Sequence, residues 1–483
     1  MFALIFAALA FQPPVMRFDA HADIGTVRRP GATVFDAAAN TYTVTGGGAN
    51  MWGAADAFHF AWAKVEGDVT LTAAVRWVGA GKDPHRKACL LLRQSLAPDS
   101  PYVDVAVHGD GLTSLQFRNE LGGKTQEVQA NLKAPTRVRL VRRGKYVLLY
   151  AAAVGQELAF TGAAVRVGFD GPAFAGLGVC AHDPDGSETA VFSEVEMTPA
   201  ADPAKPTLTS TLETMSLSST DRRVVLVVPG RIEAPNWLRD GKTLVYNAGG
   251  KLYRVPAAGG NPEVIDTGSA VRCNNDHGVS PDGTRLVISD QSQPDRKSRI
   301  YTLPVAGGTP TLVTPNAPSY WHGWSPDGKT LAFCGERAGE FDIYTVPVDG
   351  GPETRLTTAK GLDDGPEYSP DGKHIYFNSD RNGRMQLWRM AADGSGQEQL
   401  TDDGLNDWFP HPTPDGKALM FVTFPADVKG HPADKDVTLR RLNLADRKLD
   451  VLARFLGGQG TANVPNVSPD GKRIAFVTYQ TAP

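Results

Sequence analysis

The sequence predicts an all-β protein in which a two-sheet sandwich is followed by a six-bladed β-propeller. Three observations carry this. Fifty-one glycines and thirty-five prolines are spread along 483 residues, supplying tight turns about every ten residues where long helices find no room. Between these breakers the chain is written in short apolar or alternating runs of strand type. In the second part a tetrapeptide turn returns six times, and a fixed period of this length marks a repeat architecture.

The repeat is SPDG at Ser280–Gly283, Ser325–Gly328, Ser369–Gly372 and Ser468–Gly471, with TPDG at Thr413–Gly416 and LRDG at Leu238–Gly241. Its aspartates fall at 240, 282, 327, 371, 415 and 470, a step of 42 to 45 residues with one of 55. The long step has a visible cause, the polar insertion PADVKGHPADKD from Pro425 to Asp436, placed in a loop where extra length is tolerated. After each turn come β-rich runs such as RLVISD and TLAFCG, then RIYTLPV and DIYTVPV, then a Gly-rich hairpin such as VAGGTP or VDGGPE. Four strands per period make a propeller blade. The last unit stops at Tyr479 after two strands, and Leu212–Val228 reads as the missing third and fourth. Pairing the two closes the ring and removes an open edge.

From about Thr207 onward these repeats resemble the TolB-like propeller family, whose units carry the same SPDG turn, apolar strands and DG or GG hairpin. The resemblance implies a six-bladed fold and a periplasmic setting. The family includes the Tol-system component that binds partners, propeller domains of peptidases, and oligogalacturonate lyases, so fold alone does not give function. A G-x-S-x-G elbow is absent from the sequence, which argues against peptidase activity.

Upstream, DVTLTAAVRWVG (Asp68–Gly79), ACLLLRQS, YVDVAVHGDG, LTSLQFRNE, TRVRLVRRGKYVLLYAAAVG and ETAVFSEVEM are separated by Gly, Asp and Pro clusters, as in a sandwich. The Arg142–Lys145 hairpin, GLGVCAHD and the final AVFSEVEM run resemble a concanavalin A-like jelly roll, which implies an accessory glycan-binding domain. Trp52, His59 and Trp62 in ANMWGAADAFHFAW are its candidate sugar contacts, set against the commoner role of such aromatics in a core. The expected divisions are a secretory leader or disordered start at 1–17, the sandwich at 18–199, a Pro-rich linker at 200–210 and the propeller at 211–483.

The net charge of −4 gives no footprint for nucleic acid. Cys89, Cys180, Cys273 and Cys334 lack finger spacing and read as buried thiols, with a Cys89–Cys180 bridge as the alternative. Phe2–Phe11 is apolar and runs through Ala8-Leu9-Ala10 to two prolines, the form of a secretory leader. No other run reaches the ~20 apolar residues of a membrane helix. The expectation is a soluble monomer, periplasmic or secreted, meeting a glycan or an envelope protein.

Chemistry is expected in the segments ahead of each turn, because innermost strands converge on the propeller axis. They hold His277, His322 and His411, the first two at one offset from their turns and the third one residue nearer. With them stand Asp276, Glu367 and Asp407 as acid–base candidates, and Asn275, Asp364, Gln459 and Asn463 as ligand contacts; Glu233, Asn274 and Asp363 lie nearby. The three imidazoles in a carboxylate ring are candidates for a divalent metal or for general acid–base work. The competing role is capping loops and satisfying backbone. Glu336 with Arg337, and Asp380 with Arg381, form a second candidate shell able to clamp an anion. Two functions follow: a binding module of the TolB kind, or a carbohydrate-active enzyme, hydrolase or metal-assisted lyase.

Overall fold

A computed structural model describes residues 17–169, 171–201 and 207–482; residues 1–16 of the expected leader and 202–206 of the expected linker lie outside them, and the last four residues of that linker belong to the strand Thr207–Ser216. The chain forms two compact units, one of residues 1–125, 132–160 and 167–201, the other of 126–131, 161–166 and 202–483.

In the first unit, strands Ala20–Ile24, Phe58–Val65, Ala173–Cys180, Lys87–Arg93, Tyr102–His108 and Thr113–Arg118 lie side by side in that order. A second sheet runs Tyr146–Ala152, Arg137–Arg143, Val69–Trp77, Asp183–Pro199, Thr41–Gly48 and Ala32–Asp36. Thr41–Gly48 packs on Phe58–Val65 and Ala173–Cys180, and Val69–Trp77 on Lys87–Arg93, so the two sheets bury apolar residues between them. All four cysteines are free and buried. Trp62 and Phe60 stack at 5.4 Å within a buried cluster, so Trp62 belongs to the core.

The second unit is propeller-like. Five antiparallel sheets of four strands follow one another, each joined strand to next strand: 233–265, 273–312, 319–355, 363–399 and 406–457. Each innermost strand packs on the next. Cores form between neighbouring sheets, as where Leu286 and Ile288 meet Val245 and Leu252, or Trp321 and Phe333 meet Val287 and Ile300. The closure is visible in the pairing. Arg473–Ala482 runs antiparallel to Thr207–Ser216, which pairs with Arg222–Pro229, and an isolated bridge joins Val467 to Ile474. Val477 and Tyr479 then share a core with Trp237 and Leu244 of the first sheet.

The repeated turn explains its own composition. Ser280 Oγ donates to Asp282 Oδ1 and accepts the Arg285 N–H, while Asp282 accepts the Thr284 N–H. The same three contacts recur at Ser325, Ser369 and Ser468 and at Thr413. The glycine that ends each turn sits at φ of 62 to 75°, where a Cβ is costly. The Ser280 hydroxyl and the Thr284 amide and hydroxyl hold the Asp282 carboxyl down at about 2.

Candidate functional site

Two residues ahead of the turn, three of the six units place a polar side chain at one shared cavity. Asn236, Glu367 and His411 occupy this position and line a cavity of about 260 Å³. Its other walls include Trp237, Trp324 and the prolines of the turns, with Arg239 of LRDG standing where the other five units have proline. In the second sheet the equivalent residue is Gly278, where a Cβ would lie 2.1 Å from the Trp321 ring. Glycine there is required by close approach.

One stretch of chain fills the axis. The lead-in to the last turn forms only a short 3-10 turn, Gln459–Thr461, followed by residues without strand pairing up to the Val467 bridge. Thr461, Ala462, Asn463, Val464 and Asn466 are fully buried, so their backbone groups need partners from the ring. His411 Nε2 lies 3.0 Å from the Ala462 carbonyl and His322 Nδ1 3.2 Å from that of Asn463. Asn236 Nδ2 donates to Pro465 O at 2.6 Å and Trp237 Nε1 to Asn466 O at 3.0 Å. Asn463 Nδ2 donates to Asp276 Oδ1 at 3.0 Å. Side chains from the first, second, third and fifth sheets thus hold one buried segment.

Two imidazole–carboxylate pairs result. His411 Nδ1 is 2.6 Å from Glu367 Oε2, and His322 Nε2 is 3.2 Å from Asp364 Oδ1. Burial opposes charge on His322, but the charge and hydrogen bond of Asp364, with the charge of Asp276, outweigh it and push its pKa up to about 8. Burial likewise opposes charge on Asp364, yet His322 brings it down to about 2. Asp276 is the reverse case: burial dominates, the charge of His322 only partly offsets it, and its pKa rises to about 7. Burial also raises Glu367, against the charge and hydrogen bond of His411. Phe409, at φ 58°, stacks on His322 with centroids 5.8 Å apart.

His277 stands apart. It is fully buried, and neither ring nitrogen makes a hydrogen bond of ordinary geometry. Burial pulls its pKa down to about 4, although the backbone of Val245 and Asn275 works the other way. The three histidines therefore do not meet at one point, and among the described residues no group of three or more His, Cys, Asp or Glu is placed to hold a metal ion.

Known proteins place this architecture. The TolB beta propeller domain family matches residues 316–450. An uncharacterized protein of Agrobacterium fabrum (strain C58) is 51% identical over 271 residues, which is 56% of this chain and 92% of that protein. The chain belongs to the TolB-like propeller family. A solved structure from Agrobacterium tumefaciens, provisionally assigned to TolB, is 51% identical, with a TM-score of 0.55 over 57% of this chain and 99% of that one. TolB from Acinetobacter baumannii is 18% identical, with a TM-score of 0.39 over 56% and 63% of the two chains.

In this TolB-like propeller the remaining candidates have other duties. Asp407 accepts from Thr423 at 2.7 Å and from Arg440 at 3.4 Å inside the fifth sheet, and burial pushes its pKa up to about 6. Arg337 forms a two-point pair with Glu353 at 2.9 Å and also donates to Ser319 Oγ and Pro318 O. Arg381 does the same with Asp363, and Asp380 accepts the Leu362 N–H. These guanidiniums tie strands of their own sheets. Asn275 is buried and Asn274 bonds Ser298. Glu336 is half-buried, its charge felt by Tyr320.

Two contributors escaped the sequence reading. His431 comes from the long insertion, yet its ring packs against Trp408 at 4.4 Å and Phe409 at 5.5 Å. Burial lowers its pKa, opposed by the charge of Asp364 and a hydrogen bond with Gln459. A histidine inside the insertion that makes the irregular step was the available signal. Tyr320 is the other: burial first, then the charge of Asp276, raises its pKa. Its signal was position alone, four residues ahead of Trp324.

Proposed function

We propose that this chain is an exported, six-bladed TolB-like propeller that acts as a binding module for an envelope protein or glycan, with a concanavalin A-like accessory domain ahead of it. One observation carries the choice of binding over turnover. His322 and His411 are each bonded at one nitrogen to a backbone carbonyl and at the other to a carboxylate, so both serve the chain's own buried segment. A general acid or base needs a nitrogen within reach of a substrate proton. The propeller axis is thus a braced support for its rims, and recognition belongs to the loops there.

Carbohydrate turnover stays a second reading on one ground: Glu367, held above the ordinary carboxyl range, borders the 260 Å³ cavity, a setting suited to a general acid. The two are separated by incubating purified protein with acidic and neutral polysaccharides, with and without chelator. The binding reading expects affinity without new reducing ends or unsaturated products; product formation that Glu367→Gln abolishes would replace it. Cell fractionation tests export, with recovery in the cytoplasm as the contrary result.

A further inference from the structure

The first unit carries an acid–base cluster that the propeller does not use. Strand Ala20–Ile24 pairs with Phe58–Val65 so that Asp23 lies opposite His59 and His21 opposite Ala61. Asp23 Oδ1 is 2.7 Å from His59 Nδ1, and the Gly31 N–H donates to both carboxylate oxygens at 3.1 and 3.2 Å. Burial holds His59 below its ordinary pKa, against the hydrogen bond and charge of Asp23. With the single proton of this neutral ring on Nδ1, Nε2 is an acceptor. It lies 3.2 Å from both His21 Nδ1 and Thr33 Oγ1. Gly31 permits the seat, since a Cβ there would come within 2.4 Å of the His59 ring.

The chain of contacts fixes His21 by its Nδ1, and its Nε2 has no partner among the described residues. His21, Thr33, Phe18, Phe35 and Arg17 border a cavity of about 260 Å³. Arg17 is poised there. Its guanidinium rests 5.7 Å above the Phe35 ring, which stacks on Tyr42 at 4.4 Å, and among the described residues it forms no ion pair. Asp23 is engaged as above; Asp19, which also borders the cavity, accepts the Lys64 N–H at 3.0 Å. A planar cation held over an aromatic ring beside an anchored imidazole suits a carboxylate, which accepts two parallel bonds from arginine. Half-exposed Phe18 and Phe35 add apolar wall for the body of a small ring.

We propose that this pocket binds an acidic saccharide, its ring carboxylate held by Arg17 and by His21 in its protonated form, whose Nε2–H donates to it while Nδ1–H donates to His59, with Asp23 and His59 as positioning residues. The inference rests on the accessory glycan-binding reading above and names its site and ligand class; leader cleavage after the Ala8-Leu9-Ala10 step keeps Arg17 in the exported chain.

Isothermal titration of the full chain with galacturonate tetramer, galactose tetramer, acetate and inorganic phosphate tests it. The acidic tetramer is expected to bind and the neutral one to bind at least about tenfold more weakly, with Arg17→Gln and His21→Gln each costing about tenfold. His59→Gln is expected to change the pH profile of binding, a readout that loss of packing alone would not move; thermal unfolding of each variant reports whether it has folded. Absent binding of the acidic tetramer, equal affinity for the neutral tetramer, acetate or phosphate, or affinity unchanged in both Arg17→Gln and His21→Gln overturns the proposal. Loss of affinity in His322→Gln but not in these two would place the ligand in the propeller, which leaves the binding-module reading standing while this one falls.

Discussion

His277 and His322 stand at the same distance ahead of the same tetrapeptide in neighbouring units, and they end in opposite states. In the second sheet the register shift falls earlier, between Cys273 and His277, and His277 pairs opposite Ile288. In the third, the register shifts between Trp321 and Gly323, so that Trp321 takes the equivalent place opposite Phe333 and His322 becomes the extra residue. One inserted residue turns a side chain to the other face of a strand. His277 therefore packs neutral in the interior, with a pKa near 4, while His322 meets Asp364 and rises to about 8. Equal offset in a repeat does not mean equal environment.

The largest effect should come from breaking the charged half of this contrast. Asp364→Asn leaves His322 buried beside Asp276 without its closest anion, and a broken buried pair costs on the order of 3–5 kcal/mol. Urea unfolding checks this; a change below about 1 kcal/mol would mean the pair is solvated.

Next come the pH slopes, which should run in opposite directions. The folded pKa of His277 lies below the ordinary 6.5, so its contribution is lost as pH falls from 6.5 through 4, about 3 kcal/mol in all. That of His322 lies above 6.5, so its contribution is complete below 6.5 and lost as pH rises through 8, about 2 kcal/mol. His277→Gln should flatten the acid limb of stability against pH, and His322→Gln the alkaline limb. Identical profiles for the two variants would erase the distinction between them.

A smaller loss, about 2 kcal/mol, is expected for His411→Leu, which leaves the Ala462 carbonyl and the Glu367 carboxyl without their partner, the latter already raised in pKa by burial and able to take up a proton. Denaturant midpoints measure it, and no change would show that the buried segment is not braced there. Least of all should be His431→Ala, about 1 kcal/mol or less, because the ring is half-buried and one-sided in its packing. Its sharper readout is the His322 imidazole resonance in an NMR titration. Removing the nearby ring should leave that titration in place, since burial holds His431 below its ordinary pKa and neutral where His322 titrates.

The strands, turns and closing pair were legible because each rests on local chemistry. Serine and aspartate in SPDG are explained by bonds inside the turn and the glycine by its positive φ, so the four SPDG copies and TPDG carried their geometry with them. The convergence of lead-in segments was legible for the same reason, and it brought Asp276, Asn463, His322 and Asp364 together. Asp407 and Arg337 read as site residues because their partners, Arg440 and Glu353, are strand neighbours distant in sequence. His431 was hidden because a loop's return path depends on what it packs against.

The sequence by itself determined the repeat, the all-β class and which stretches approach the axis, since turn chemistry and alternation act over a few residues. Only the tertiary structure decided which side of a strand each histidine faces, and that Gly458–Asn466 would occupy the axis in place of a regular inner strand. Bulge position and burial depend on contacts between residues more than a hundred positions apart, as between His322 and Asn463, and such contacts set both charge and direction.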